Sequence, residues 1–562
     1  MEVDTAHDAF VSDQRSSAQL AKGILRRLSE LSDSRKKLKQ GRDVMSFTLS
    51  RRQVLAGGSA VLAAATMGVI RPKSALAAHS KIVVRVERDL ANLDPANRTG
   101  PIDVNVLFAC MQGLVGFKPG SADWQLDAAE EIRQVSDTEI DFKLRPGLVF
   151  TGGYGPLTAE DVKFSFERFT KADAAGKKVD FASDWSALDH VEVTGLLEGK
   201  IILKSAAPAL WLITLPDGSG RIISKKAFEA LGGKISSTVV GSGPYVLKEW
   251  KPREQFVLAA NPDYKGPITG HFMEIVGKPI KEQKTADIAF KAGEMDFESI
   301  QPENMKTFSE LPATSVVALP GIDYVWFGPN VEKKPFDDLR VRQAVRLAVD
   351  VDAILTGAYA GLYPRANALL AQGMVGYWAD APVYKRDVDG AKKLLADAGV
   401  ASGFKTTLTV LSDARFQAVA EVVQANLADA GIVVEINALD AGAYWALGEK
   451  DGSKVLDLSL IEYNGKFDPS FDTQWFTSAQ VGQWNWQRWK SKDFDDLDAL
   501  GAKTTDVSQR NEIYIKAQKL MDESAAFIWI THNVNTFASK SWLKPGVLPN
   551  GNNWLYTAFE ET

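Results

Sequence analysis

The sequence predicts an α/β protein with mixed sheets, divided into two lobes, on three observations. The chain has 562 residues, whereas single hydrophobic cores stop growing near roughly 250–300 residues. "KTTLTVL", "FQAVAEVVQANLADAG" and "IVVEINAL" read in succession as strand, helix and strand, a βαβ unit whose strands pair in parallel. "TEIDFKLR" alternates Ile140, Phe142 and Leu144 with polar residues, the pattern of a strand buried on one face.

Taken in chain order, the first feature is "LSRRQVLAGGSAVLAAATMGVIRPKSALAAHS", Leu49 to Ser80. Its apolar run from Val54 to Ile70 is 17 residues, largely Ala and Gly, where a membrane-spanning helix needs about 20 strongly apolar ones. Ala75-Leu76-Ala77 supplies a small-residue cleavage site. Ser50-Arg51-Arg52-Gln53-Val54-Leu55 resembles the twin-arginine export motif, with Val54 where that motif usually has Phe. Residues 1–77 are therefore expected to be a removed leader and the mature chain periplasmic. Residues 1–44 carry a basic cluster at Arg35, Lys36, Lys37 and Lys39 and no apolar period. Met45 is the natural start of the signal, so this stretch reads as a mis-assigned start or a long leader.

Between Leu126 and Phe169 the expected order is a helix-like stretch, the strand around Phe142, a turn at Pro146-Gly147, and a helix. That helix opens with Thr158 as N-cap and Asp161 three residues on, a capping-box spacing, and Val162, Phe166 and Phe169 should face a core. "DDLRVRQAVRLAVD" places Val341, Ala344, Val345 and Ala348 on one helix face. "DVDGAKKLLADAG" starts acidic at Asp387 and stops at Gly399.

The formal net charge is −6 and grows more negative once the basic leader is removed, which argues against a nucleic-acid partner. Cys110 is the one cysteine, so no intramolecular disulfide forms, and no cysteine stands at the cut to carry a lipid. His7, His79, His190, His271 and His532 are far apart and offer no zinc spacing. Neither a nucleophile elbow nor a phosphate loop occurs. Catalysis, metal and cofactor have no support.

Several separated blocks then resemble one family. "NLDPA" is similar to its opening strand and turn, and "CMQGLVGF" to its first helix. "DFKLRPGLVFTGGYGPLTAEDVKFSFERF" and "GSGPYVLKEWKPREQFVLAANPDYKG" resemble its longest signatures. "GEMDF", "KPFDDLRVRQAVRLAVD", "AKKLLADAGV" and "DFDDLDAL" follow in the same order. Over residues 80–562 the chain resembles the extracellular solute-binding proteins of ABC importers, in the dipeptide- and oligopeptide-binding family 5.

The resemblance implies a two-lobed periplasmic-binding-protein fold with hinge strands and an extra subdomain on the first lobe. The expected division is lobe I at 78–300, with the subdomain at about 117–216, lobe II at 301–526, and a return to lobe I at 527–562. The first crossing is expected near 293–304 and the return near 527–537. It also implies a monomer that closes over a solute and delivers it to a membrane permease and its ATPase. Closure of such proteins is a well-known hinge motion.

Peptide-binding members often hold the peptide amine with a carboxylate ahead of an Asp-Pro pair. Here Asp468-Pro469 in "IEYNGKFDPSFDTQW" places Gly465 or Lys466 where that carboxylate is expected. Lys466 would instead attract a carboxylate, or is a solvated loop lysine. "QWNWQRW" brings Trp484, Asn485, Trp486, Arg488 and Trp489, and aromatic faces stack on sugar rings, peptide planes or cations. Trp185, Tyr463, Asn464, Asp468 and Asn533 are further candidates placed by the resemblance. The expected solute is a short peptide or peptide-like conjugate. An oligosaccharide or opine is the alternative, and an enzyme or a chaperone-like protein belongs to the competing classes.

Overall fold

The computed structural model describes residues 79–172 and 176–562, so the leader expected at 1–77 lies outside the described residues. Strands β1 (Lys81–Val86), β2 (Tyr245–Lys251), β3 (Gln255–Ala260), β4 (Glu274–Pro279), β5 (Phe297–Ser299) and β6 (Thr314–Pro320) enter one sheet. The chain then lays down β7 (Tyr324–Pro329), β8 (Phe404–Leu411), β9 (Ile432–Leu439), β10 (Leu458–Tyr463) and β11 (Ile528–Thr531) in another. It returns as β12 (Val534–Lys540) to complete the first. The seven-stranded order is β2-β3-β4-β1-β5-β12-β6 and the five-stranded order β9-β8-β10-β7-β11.

Both sheets are mixed, as the sequence predicts. β1 runs parallel to β4 and β5, and β12 antiparallel to β5 and β6. β8 runs parallel to β9 and β10, and β7 antiparallel to β10 and β11. The helix Ala414–Asp429, capped by Asp413, joins β8 to β9 as the predicted βαβ unit. It covers one face of the five-stranded sheet together with Leu339–Ala348 and Val351–Ala358, burying Val325, Phe327, Leu408, Val410 and Leu460. Side chains alternate along a strand, so Tyr324, Trp326, Ile461 and Tyr463 face the other way, into an aromatic core.

A separate four-stranded antiparallel sheet lies within the stretch where the extra subdomain is expected. The helix Ala159–Glu167 packs there on the predicted capping box, with the Asp161 carboxylate accepting from the Thr158 backbone N–H at 3.0 Å. The preceding helix-like expectation is corrected: Ala129–Ser136 is a strand, paired antiparallel with Glu139–Leu144. Its Ala and Glu favour helix, but hydrogen bonds to the neighbouring strand outweigh that weak preference. "CMQGLVGF" likewise is not a helix: Pro101–Cys110 ends where the block begins, and Val115–Phe117 is a strand.

β5 and β6 both belong to the seven-stranded sheet, so the chain changes sheets at residues 321–323, after the 293–304 stretch. It changes back at residues 532–533. The two passages lie side by side, with the Gly321 N–H donating to the Asn533 carbonyl at 3.2 Å. A Cβ at Gly321 would come within 2.6 Å of the His532 carbonyl oxygen, which explains glycine there. Among the described residues no helix is long and apolar enough to cross a membrane.

Candidate functional site

In open α/β sheets ligands bind outside the carboxyl ends of the strands. Here β8, β9 and β10 all end on one edge, and β7 starts there, since Tyr324 pairs with Tyr463. Both passages between the sheets therefore cross at this edge.

Three tryptophans gather on it. Trp445 and Trp484 are each 38% exposed, and Trp475 is half-buried. Their ring centroids lie 6.5 Å apart for Trp445–Trp484 and 6.0 Å for Trp475–Trp484. Tyr463 sits behind them, donating its hydroxyl to the Trp484 carbonyl at 2.8 Å, and its burial raises the phenol pKa well above the usual value. Asn464 is exposed and Lys466 half-buried. The Lys466 ammonium lies 4.7 Å from the Phe471 ring centroid.

Polar groups continue along the edge. A Cβ at Gly465 would lie 2.1 Å from the Ile322 carbonyl oxygen, so this backbone has no room for a side chain there. Instead the Gly465 N–H donates to Asp323 Oδ1 at 3.0 Å. Burial raises the Asp323 pKa to about 6, with the charge of Glu462 adding to it, against the hydrogen bonds from Gly465 and Asn464. Glu462 accepts from Asn533 Nδ2 at 2.6 Å and pairs with Arg415 at 3.8 Å. Arg415 also donates to the Tyr363 hydroxyl at 3.1 Å, and its Nε has no partner.

The eleven residues singled out from the sequence thus separate. Tyr463, Asn464, Lys466, Trp484 and Asn533 meet at this edge. Five others build the loop behind it, with their side chains engaged in packing, ion pairs or hydrogen bonds. Asp468 is fully buried, paired with Arg510 at 2.8 Å, and caps the Pro469–Thr473 helix. Asn485 donates to the Phe476, Thr477 and Trp489 carbonyls. Trp486 is fully buried against Tyr444, and Trp489 packs on Phe494 and Phe527. Arg488 is taken by the carboxylates of Glu332 and Asp451. Trp185 belongs elsewhere: it is buried in the hydrophobic cluster under the four-stranded sheet, stacked 4.2 Å from Phe166. Trp445, Trp475, Asp323, Glu462 and Arg415 were missed. The one sequence signal was a lone acid on each of two apolar strand segments, "IDYVWF" and "LSLIEY".

From the seven-stranded side, Phe117 meets Phe467 at 5.8 Å between ring centroids, and Val104, Phe108 and Leu555 join the same aromatic core. A cavity of about 360 Å³ opens nearby, lined by Phe108, Phe117, Asp127, Arg221 and Leu555 among others, but by none of the eleven residues. Arg221 and Asp127 are paired there at 3.7 Å and bonded to backbone, so neither is left to seek a ligand. The edge is the better candidate because two buried polar atoms there, Arg415 Nε and Asn533 Oδ1, have no partner.

The family model for bacterial extracellular solute-binding proteins, family 5, matches residues 124–491. A probable D,D-dipeptide-binding periplasmic protein of Escherichia coli is 27% identical, over 80% of this chain and 88% of its own length. A glutathione-binding protein from the same organism is also 27% identical, with the same coverage. HbpA2 from Haemophilus parasuis superposes with a TM-score of 0.77 at 22% identity, over 86% of this chain and all of its own. MoaA from A. tumefaciens R10, solved with mannopinic acid, gives 0.67 at 25% identity, over 86% and 100%. With a family match across most of its described length and two mixed sheets joined by paired crossings, the chain belongs to the bacterial extracellular solute-binding proteins, family 5.

Proposed function

We propose that this protein captures a short peptide or peptide-like solute in the periplasm and hands it, as a monomer, to an ABC permease and its ATPase. One observation carries the reading: a half-exposed tryptophan wall stands beside unmet hydrogen-bonding groups at the sheet edge where both crossings lie. Peptides offer apolar side chains to such a wall and charged ends to such groups. Lys466 is the cation proposed to meet a solute carboxylate. Relatives named for dipeptides and glutathione fit this reading. Lobe I follows the seven-stranded sheet with its subdomain, and lobe II the five-stranded one. The experiment is mass spectrometry of whatever co-purifies, followed by calorimetry with that solute. One-to-one binding with the solute recovered unchanged supports a receptor. Turnover would make the protein an enzyme, and indiscriminate binding of unfolded chains a chaperone.

A solute that touches both lobes favours the closed form. Saturation should therefore reduce the radius of gyration in small-angle scattering. It should also stabilise the protein by about 2.7 kcal/mol at a hundredfold excess over Kd. An unchanged radius would count against closure by that solute. An opine is the second reading, since a tryptophan face also suits a polyol chain and MoaA was solved with mannopinic acid. An oligosaccharide fits the wall but leaves the acidic groups unused.

The export route is proposed from Arg51-Arg52 and Ala75-Leu76-Ala77. N-terminal sequencing of the periplasmic form should begin at or near Ala78, with no lipid. Export that survives replacement of both arginines by lysine would rule out the twin-arginine route.

A further inference from the structure

We propose that removal of the leader creates a Cu(II) site at the N-terminus of the mature chain. Its donors are the new amine of Ala78, the backbone nitrogen and Nδ1 of His79, and the Glu561 carboxylate. The proposal rests on the export reading, because only a cut after Ala77 frees that amine. Ala78 itself lies outside the described residues.

The chemistry starts from Ala78-His79-Ser80, the expected first residues of the mature chain. An N-terminal amine, the amide nitrogen of the second residue and the Nδ1 of a histidine at that second position close two fused chelate rings on one metal ion. The three nitrogens lie in one plane and leave a corner open. Planar sets of nitrogen and oxygen suit Cu(II) or Ni(II), with Cu(II) held more tightly, whereas zinc prefers a tetrahedron. Among the described residues no group of three or more metal-ligating side chains occurs, and this site needs none, because two of its donors are main-chain nitrogens.

The fold has already turned these groups toward each other. His79 N–H donates to Glu561 Oε1 at 2.8 Å, and His79 Nδ1 lies 2.6 Å from the same oxygen. Both nitrogens therefore point at one position, as chelation requires, and a carboxylate stands there for the open corner. The imidazole is held by stacking on half-buried Trp542, with ring centroids 3.8 Å apart and planes within 9°. Each flank is anchored. The Ser80 carbonyl accepts from the Met273 and Glu274 N–H groups at 2.8 and 3.1 Å, and Glu560–Glu561 pairs as a strand with Leu543–Lys544. The His79 side chain is still 48% exposed, so an ion reaches it from solvent. On binding, the metal replaces protons of the amine and the amide, and the carboxylate swings back to ligate it. Affinity should accordingly rise with pH.

Mature protein recovered from the periplasm, with its N-terminus sequenced, tests this by titration with CuCl2. A chain starting at Ala78 should take up one equivalent, with a visible ligand-field band and an electron paramagnetic resonance spectrum split by three nitrogens. His79→Ala should abolish that spectrum. Inserting Gly-Ser-Gly between Ala77 and Ala78 should do the same, since it keeps every side chain but moves the amine away from His79. Glu561→Gln should keep the three nitrogens and weaken binding by about tenfold, the lower end of what supporting groups contribute to a metal site. A chain starting at Ala78 that binds no copper overturns the site and leaves the export reading standing. So does one that keeps the same spectrum after either change at His79 or the insertion, which would place the ion on other histidines such as exposed His271. A chain starting at any other residue overturns the cut and the site together.

Discussion

Replacing Trp486 with alanine is expected to cost about 3–5 kcal/mol of folding stability, the usual range for a buried aromatic side chain. Replacing Trp484 should cost far less stability and instead weaken solute binding. The two residues are separated by one position and have opposite surroundings. Trp486 has no exposed surface, packs 5.0 Å from Tyr444 between ring centroids, and donates its indole N–H to the Gln483 carbonyl at 2.9 Å. Its removal leaves a cavity and an unmet carbonyl together. Trp484 is 38% exposed and its ring lies about 6–6.5 Å, between centroids, from those of Trp445, Trp475 and Tyr463. An aromatic contact contributes about 0.5–1.5 kcal/mol beyond area burial, so Trp484→Ala should lower affinity by roughly two- to tenfold. Denaturant titration of both variants, with calorimetry on the co-purified solute, reads the two effects separately. A Trp486→Ala protein of wild-type stability would mean that the loop is packed differently. A Trp484→Ala protein of unchanged affinity would move the solute away from this wall.

This pair also shows what the sequence could and could not say about the site. Spacing along "QWNWQRW" gives the order of the tryptophans but not their directions, because the segment is a chain of turns rather than a strand or helix. Strand alternation therefore does not sort them. Two are buried together in one aromatic core and the third is left at the edge. Arg488 looked like a free cation in the sequence, yet Glu332, distant in sequence, and Asp451 take both sides of its guanidinium. Asp323 has the reverse history. Its meaning depends on Gly465, 142 positions away, and no local pattern reveals that contact.

Local rules did better where one element decides. The Thr158–Asp161 box, the buried stripe of Leu339–Ala348 and the parallel β8–β9 pair all follow from spacing within one or two elements. Ala129–Ser136 failed because its partner, not its own residues, fixed it as a strand. The change of sheets came later than 293–304 for a related reason: β6 reads as an ordinary strand, and only its seven-residue pairing with β12 assigns it to the first sheet.

The last prediction concerns Glu298, and it has the largest expected effect on stability with pH. Glu298 lies on β5, opposite Ala538 of β12, with no exposed surface. Neither of its carboxylate oxygens has a hydrogen-bond partner. Burial pushes its pKa from 4.5 up to about 8, with nearby Asp287 adding to the rise and Arg85, Lys291 and Lys540 opposing it. The raised value means that the folded protein holds this proton more tightly than the unfolded chain does. Below pH 4.5 both states are protonated and the group costs nothing through ionisation. Between 4.5 and 8 the unfolded chain ionises first, so folding stability falls as pH rises, by roughly 1 kcal/mol per pH unit. Above 8 the loss levels off, at about a few kcal/mol in total. Glutamine keeps the shape and cannot ionise, so Glu298→Gln should gain on the wild type as pH increases. Urea unfolding of both proteins at pH 5 and pH 8 isolates the effect, because any fixed packing cost of glutamine cancels in the difference. The variant's stability relative to wild type should rise by about 2–4 kcal/mol across that interval. Parallel curves would show that Glu298 carries its charge in the folded state, and that Arg85, Lys291 and Lys540 compensate its burial.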